Sequence, residues 1–225
     1  MPYRKTPIAL NEIYHIFNRS IAQQPIFLSS RDYQRAIEVL TFYQYKKPSL
    51  RFSFYNRLPK EQKDGFFVKL ARENKPLIEI ISFCLMPNHI HFLLKNLQEN
   101  GINRFMGNFQ NSYAKYFDTK TNRSGGLFQA MFKAVRIESD EQLLHVSRYI
   151  HLNPVTAYLI RPGELKNYQW SSYPDYLHPD KSSNYIHKDL ILSHFKSAKA
   201  YEQFVLDQVD YQRELDKIKH LTLKT

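Results

Sequence analysis

Two histidines separated by one residue are the side chains in this sequence most able to do chemistry together. His89 and His91 flank Ile90. Residues two apart on a strand point to the same face, about 6.5–7 Å apart. A neutral imidazole offers one lone pair, so the two rings could bind a single metal ion. Two polar residues on a half-exposed strand would give the same pattern, and the tripeptide alone favours that alternative.

The neighbouring residues place the histidines near one end of a sheet. Residues 77–86 form a long apolar run rich in β-forming types, and Pro87 and Asn88 are typical of a turn. A second apolar run begins at His89 and ends at Lys95. The pattern predicts a hairpin whose second strand starts with the histidines. A side chain from a neighbouring element could complete a metal site there.

A helix predicted over residues 140–153 is a candidate for that neighbouring element. Ser139 or Asp140 is a suitable cap, the first turn is acidic, and Pro154 predicts the end of the helix. Apolar residues recur at helical spacing on one face, at Leu143, Val146 and Ile150. The helix should therefore pack on the sheet.

A second stripe on the same helix consists of His145, Tyr149 and Asn153. Tyr149 is a candidate nucleophile, and the Asn153 amide oxygen is a candidate third metal ligand. Structural alternatives exist for both residues. Tyr149 could pack at the edge of the helix, and Asn before a proline is common at helix C-termini. Without further information, the residues favour these alternatives.

The motif around the histidines resembles that of the IS200-like family of single-tyrosine (Y1, HUH) transposases. The stretch 85–91, LMPNHIH, is characteristic of that family. Other stretches resemble it in the same order, at residues 14–19 (YHIFNR), 112–117 (SYAKYF), 126–129 (GLFQ), 148–154 (RYIHLNP) and 170–173 (WSSY). The last two are most like the branch associated with repetitive extragenic palindromes (REP). The resemblance covers roughly residues 10–175, and chance seldom reproduces ordered motifs of this kind.

The resemblance implies a reaction and roles for named residues. In that family the tyrosine of the late helix attacks DNA, and the residue four positions later joins the two histidines at a divalent metal, Mg²⁺ or Mn²⁺. These roles fall on Tyr149 and Asn153, with His89 and His91 as the other metal ligands. The product would be a 5′-phosphotyrosine and a free 3′-OH. Strand transfer would then need no nucleotide cofactor.

Two positions depart from the family pattern. The third ligand is usually Gln in the insertion-sequence branch, and Asn153 is shorter by one methylene. Met131 stands where related sequences usually have Arg, so a DNA contact or an ion pair could be absent. With these two departures, a protein of reduced catalytic activity is also conceivable.

Composition fits a nucleic-acid partner. The 225-residue chain has a formal net charge of +11 and an isoelectric point of about 9.6, and 15% of its residues are aromatic. Basic side chains attract phosphates and exposed aromatic rings stack on unpaired bases. Many unrelated proteins are equally basic, however, and most of the phenylalanines must lie in the core. The candidate DNA-binding residues in or near the motifs are Arg19, Lys115, Arg123, Lys133 and Arg148.

The predicted fold is α+β and ferredoxin-like. Strands are expected at residues 12–18, 77–86, 89–95 and 129–137, and helices at 30–45, 102–118 and 140–153. This β-α-β-β-α-β order, with the catalytic helix after the last strand, predicts an antiparallel sheet. Residues 1–178 would form the catalytic domain, with a basic insertion at about 46–76 that could touch DNA or be a solvated excursion. A helical pattern at residues 186–218 predicts a C-terminal extension over 179–225.

Several classes of protein are excluded by features that the sequence lacks. Cys84 is the single cysteine, so a disulfide framework cannot form. No apolar run approaches the ~18–20 residues that span a bilayer, and residues 1–10 do not resemble a signal peptide. We expect a cytoplasmic protein, either a monomer or a homodimer.

The predicted function is that of a metal-dependent, single-tyrosine DNA transposase. Its substrate would be single-stranded DNA next to a hairpin or a palindromic repeat, which it would cut and transfer. An RNA-directed nuclease on the same scaffold is one alternative. The other is a domesticated DNA-binding protein without turnover, which Met131 and Asn153 make conceivable.

Overall fold

A four-stranded antiparallel sheet forms the centre of the protein. The structure is a computed structural model and describes residues 7–46, 48, 50–73, 75–178, 180, 183 and 185–212. The strands are β1 (Ile13–Arg19), β2 (Ile78–Met86), β3 (His89–Asn96) and β4 (Lys133–Arg136), in the order β2-β3-β1-β4. The ferredoxin-like α+β prediction is confirmed. The last strand is shorter than the predicted 129–137, because residues 129–132 form no ladder.

Helices follow the strands in the predicted order. They are α1 (Ser30–Phe42), α2 (Phe52–Tyr55), α3 (Lys60–Glu73), α4 (Gly101–Thr121), α5 (Asp140–Thr156), α6 (Tyr173–Leu177), α7 (Asp189–Leu192) and α8 (Ala198–Leu206). The basic insertion contains α2 and α3. The C-terminal pattern forms the two separate helices α7 and α8, and its part at residues 213–218 lies outside the described residues. None of the described helices is long and apolar enough to cross a membrane.

Helix α5 begins where the sequence predicts and ends later. The Ser139 hydroxyl accepts a hydrogen bond from the Gln142 N–H at 3.1 Å, which confirms the cap. The expected end at Pro154 is wrong, because the helix continues to Thr156. A proline in a helix removes one backbone hydrogen bond. Here Pro154 and the two residues after it are buried, so their packing offsets that loss.

The two faces of the sheet have different partners. On one face Phe92 of β3 packs against Phe105 and Phe109 of α4, with ring centroids 6.0 and 5.3 Å away. Side chains alternate along a strand, so His91 points to the other face, where it meets Tyr149 of α5. Helix α5 packs on β2 and β3. The residues of β1 on the same face are half-buried or exposed, so this face is accessible beside α5.

The segment after α5 covers the edge of β2. The Leu85 N–H donates to the Trp170 carbonyl at 2.8 Å, and the Ser172 N–H donates to the Phe83 carbonyl at 3.0 Å. Further along, the His187 N–H donates to the Ile80 carbonyl at 2.8 Å. An uncovered edge strand invites pairing with other chains. The WSSY motif at residues 170–173 therefore has a structural task at this edge.

A buried hydrogen-bond network joins α5 to the C-terminal segment. His151 contacts the Tyr201 hydroxyl through Nδ1 at 2.7 Å and the Ser172 hydroxyl through Nε2 at 2.8 Å. Ser147 lies 2.9 Å from the same Tyr201 oxygen. Burial lowers the pKa of His151 to about 3, so the ring is neutral at physiological pH. The helix that carries Tyr149 is thus fixed from behind by residues far along the chain.

Asp32 forms an ion pair at the start of α1. Its carboxylate is buried and accepts hydrogen bonds from Leu28 N–H (2.9 Å), the Ser29 hydroxyl (3.0 Å), the Tyr116 hydroxyl (2.8 Å) and Lys120 Nζ (2.6 Å). Burial by itself raises the pKa of this carboxyl. The hydrogen bonds, of which that from Lys120 is the strongest, lower the pKa further than burial raises it.

Replacing Asp32 by Asn should lower the free energy of unfolding at pH 7 by about 3 kcal/mol, since a buried charge pair loses one member. The pKa of Asp32 is lower in the folded chain than in the unfolded chain. Its contribution is therefore present above the unfolded pKa and is lost as the pH falls through the folded pKa. Urea unfolding at pH 7 and in acid measures both effects. The exposed Asp64→Asn variant is the control, and equal loss in the two variants would contradict the prediction.

Candidate active site

The two histidines lie at the start of β3, as the hairpin pattern predicts. His89 pairs with Met86 across the turn formed by Pro87 and Asn88. The centroids of the two imidazole rings are 5.0 Å apart, and the rings are nearly perpendicular. Two ring nitrogens can therefore approach a common point on the α5 side of the sheet.

The orientation of His89 is set by its neighbours. Asn88 Nδ2 donates to the Gln23 carbonyl at 2.9 Å, so Asn88 Oδ1 faces His89 Nδ1 at 2.6 Å and accepts from it. This places the lone pair of the neutral ring on Nε2. Burial and the nearby Arg19 charge lower the pKa of His89 to about 4, although a hydrogen bond with Asn153 raises it. The ring is thus neutral at pH 7, as a metal ligand must be.

His91 is positioned by a third histidine that the sequence did not indicate. His15 Nε2 lies 3.0 Å from His91 Nδ1, and the ring centroids are 5.2 Å apart. In the β1–β3 ladder Phe17 pairs with His91, which brings the alternate residue His15 to the same face. The stretch 14–19 belongs to a family motif, but the role of His15 depends on pairing between strands distant in sequence. Strand alternation gives its face once that pairing is assumed.

Tyr149 of α5 lies over this histidine cluster. Its ring meets His91 edge-on at 5.6 Å and His15 at 5.8 Å between centroids. Asn153 is one turn later, and its Nδ2 donates to the Tyr149 carbonyl at 2.8 Å; its side chain is also close enough to His89 to raise the pKa of that ring. The structure therefore brings together all four residues predicted for the reaction and the metal.

His145, the remaining member of the predicted stripe, points away from the histidine pair. His145 Nδ1 lies 2.6 Å from an Arg148 guanidinium nitrogen, and its ring faces Phe204 of α8. The stripe on α5 is thus split, with Tyr149 and Asn153 directed to the sheet and His145 directed to the C-terminal segment.

The residues present fit a divalent cation. Within the described part of the chain, no three His, Cys, Asp or Glu side chains lie close enough to hold a metal. A cation here would instead be held by two neutral imidazoles and the Asn153 amide oxygen. The ring of each histidine is oriented through its Nδ1, by Asn88 for His89 and by His15 for His91, as in many metal sites. Mixed nitrogen and oxygen ligands suit Mn²⁺ and are tolerated by Mg²⁺ with waters.

Two of the predicted DNA-binding residues lie beside the histidines. Arg19 is opposite His89 in the β1–β3 ladder, and Lys133 of β4 lies with its ammonium 5.9 Å from the Phe17 ring centroid. Together with Asn18 and Gln129 they line a cavity of about 240 Å³. The open half of this sheet face therefore offers two cations and an aromatic ring next to the candidate site.

The other three basic candidates lie away from Tyr149. Lys115 is on α4, on the opposite face of the sheet. Arg123 contacts Asp118 at 3.6 Å and donates to the Gly126 carbonyl at 3.1 Å, which fixes its own loop. Arg148 is buried, and its guanidinium carbon lies 4.2 Å from the Phe204 ring centroid. The structure gives Arg148 a packing role between α5 and α8.

This arrangement defines a class: a ferredoxin-like sheet that presents a histidine pair to a tyrosine on the following helix. Residues 51–153, which include all four candidate catalytic and metal residues, match the family model described as "Transposase IS200 like". This part of the chain is thus similar to an IS200-like transposase domain, as the motifs indicated.

A solved structure with a similar fold supports this architecture. The structure of a REP-associated tyrosine transposase bound to a REP hairpin is 14% identical, with a TM-score of 0.51 over 84% of this chain and 93% of that chain. A putative transposase from Deinococcus radiodurans R1 is 12% identical, with a TM-score of 0.36 over 66% of this chain and 95% of that chain. Among curated proteins no match was found.

Proposed function

We propose that this protein cleaves single-stranded DNA beside a hairpin and transfers the cut strand. The observation that carries the proposal is the contact between the Tyr149 ring and His91, which places a candidate nucleophile next to the histidine pair. The transposase domain supports DNA as the substrate. The REP hairpin in the similar solved structure supports a hairpin as the element recognised.

The Tyr149 hydroxyl is the proposed nucleophile. Its oxygen attacks phosphorus, the bond from phosphorus to the 3′ oxygen breaks, and the leaving oxygen takes a proton to become a 3′-OH. A bound Mg²⁺ or Mn²⁺ would polarise the scissile phosphate and stabilise the leaving oxygen. A free phenol has a pKa of about 10, so its proton must be drawn off during attack, and the His15–His91 pair lies beside it.

The surrounding residues position the strand. Arg19 and Lys133 would contact phosphates, and the Phe17 ring between them would stack on an unpaired base. The phosphotyrosine bond conserves the energy of the phosphodiester, so a 3′-OH can attack it in reverse and reseal a strand. No nucleotide cofactor is then needed for transfer.

We propose that residues 1–178 form the catalytic domain and that the segment after it stabilises that domain. Tyr201 of α8 bonds to His151 in α5, so the extension holds the nucleophile-bearing helix in place. We propose that the protein acts in the cytoplasm, where its DNA substrate would be available.

A substrate comparison tests the proposal. A hairpin with a single-stranded flank should be cut in the flank, whereas a blunt duplex of the same sequence should bind in a salt-sensitive manner and stay intact. Attack from a helix beside the sheet needs a splayed backbone, and a rigid duplex cannot provide it without melting. Gel assays with end-labelled DNA measure both substrates, with the matching RNA hairpin as a third.

Three outcomes would contradict the proposal. Efficient cutting of the blunt duplex would remove the single-strand requirement, and covalent trapping on RNA alone would indicate an RNA nuclease. Hairpin binding with no cleavage under Mg²⁺ or Mn²⁺ would indicate a DNA-binding protein without turnover.

A further inference from the structure

A second basic cavity lies on the face of the sheet opposite Tyr149. Its volume is about 1030 Å³, and its walls come from α1, α4 and the start of the insertion near α2. Helix α4 packs on the Phe92 side of β3, whereas Tyr149 lies on the His91 side. The sheet therefore separates this cavity from the candidate active site.

Positive charge is concentrated in this cavity. Five cationic side chains line it, and no Asp or Glu does so among the residues described: Arg31, Arg35, Arg51, Lys115 and Lys120. Lys120 is neutralised by its ion pair with Asp32. The other four have no carboxylate within ion-pair distance in the described ranges. A bound polyanion would complement this positive lining.

Arg35 is the most constrained of these cations. Its guanidinium carbon lies 4.2 Å from the Phe52 ring centroid and 5.2 Å from that of Tyr116. Its Nε is buried and has no hydrogen-bond partner among the described residues. A buried donor without a partner costs free energy. An oxygen acceptor that reached Nε from the cavity would remove that cost.

Aromatic and amide groups accompany the charge. The rings of Tyr43 and Tyr116 are half-buried in the walls, and Asn108, Asn111 and Ser112 present amide and hydroxyl groups from α4. Cations combined with stacking rings are typical of surfaces that bind single-stranded nucleic acid. A duplex hides the faces of its bases and could use only the charges.

We propose that this cavity binds a single-stranded segment of DNA away from the point of cleavage. The choice of DNA rests on the proposed function. Arg31 and Arg51, which are exposed, contact phosphates at the mouth, and Arg35 contacts one deeper inside. The tyrosine rings stack on unpaired bases. The protein thus holds a long strand on both faces of its sheet.

A charge-reversal pair tests the proposal on the full-length protein. Arg31→Glu with Arg51→Glu should weaken binding of a long oligothymidylate at least tenfold. It should also flatten the slope of log affinity against log salt by about 1.4, at about 0.7 for each phosphate contact on single strands. Fluorescence anisotropy measures both quantities. The matched control is Lys60→Glu with Arg104→Glu, which changes the net charge equally at exposed positions outside the cavity.

The outcomes separate this proposal from the proposed function. Equal weakening by both pairs, an unchanged salt slope in the cavity pair, or equal loss of affinity for blunt duplex would overturn the second site. Covalent adduct formation on a short flank reaching only the Tyr149 face should be normal in the cavity pair. If the unmodified protein forms no adduct, the proposed function fails, and the anisotropy result still decides the cavity.

Discussion

Replacing Tyr149 by Phe should abolish the covalent protein–DNA adduct and reduce strand cleavage by a factor of about 10⁴ or more, as loss of a nucleophile does in other enzymes. The substitution removes one hydroxyl and keeps the ring that packs on His91 and His15. We therefore expect the fold and the affinity for hairpin DNA to stay nearly unchanged. Denaturing gels that retain the protein–DNA adduct measure the first effect, and anisotropy measures the second.

Two tyrosines on α4 are the controls for this experiment. The Tyr113 hydroxyl donates to the Ile26 carbonyl at 2.6 Å, and the Tyr116 hydroxyl donates to Asp32. Both lie on the opposite face of the sheet, so Tyr113→Phe and Tyr116→Phe should retain the adduct. If the adduct persists in Tyr149→Phe and disappears in one of the controls, the nucleophile belongs to α4.

The second large effect is expected at the histidines. His89→Ala and His91→Ala should each reduce cleavage at least about 100-fold, because the proposed metal site would lose a principal ligand. Affinity for single-stranded DNA should change little, since it depends on basic and aromatic surface. Asn153→Ala should cost less, about tenfold, because water can replace a weak amide ligand. Cleavage assays and isothermal titration with Mn²⁺ measure catalysis and metal binding separately.

His145→Ala is the matched control for the histidine variants. His145 is on α5 but contacts Arg148 and Phe204, so its loss should leave cleavage nearly intact. Equal cleavage rates in EDTA and in Mg²⁺ would refute the metal site altogether.

Local patterns were sufficient for the fold. The apolar runs at residues 77–86 and 89–95 predicted β2 and β3, and the turn residues between them predicted the hairpin. The cap at Ser139 predicted where α5 begins. Pro154 predicted the wrong end, because burial of the following turn is a tertiary effect that the local preference of proline cannot include.

The candidate site was only partly predictable. His89 and His91 follow from strand alternation, and Asn153 follows Tyr149 by one helical turn. His15 depends on the register between β1 and β3, which are separated in sequence by the helices α1, α2 and α3 and by β2. The basic cavity depends on how α1 and the insertion meet α4, and net charge alone carries no information about that meeting.

During translation the network behind α5 can be completed only after Tyr201 has been synthesised. Tyr201 follows His151 by 50 residues. At ribosomal speeds of about 5–20 residues per second, it is synthesised roughly 3–10 s later. Until then His151 and Ser147 lack the hydroxyl that anchors them, and α5 is not held against the C-terminal segment. A nascent or truncated chain that ends before Tyr201 therefore lacks one of the contacts that hold α5 in place.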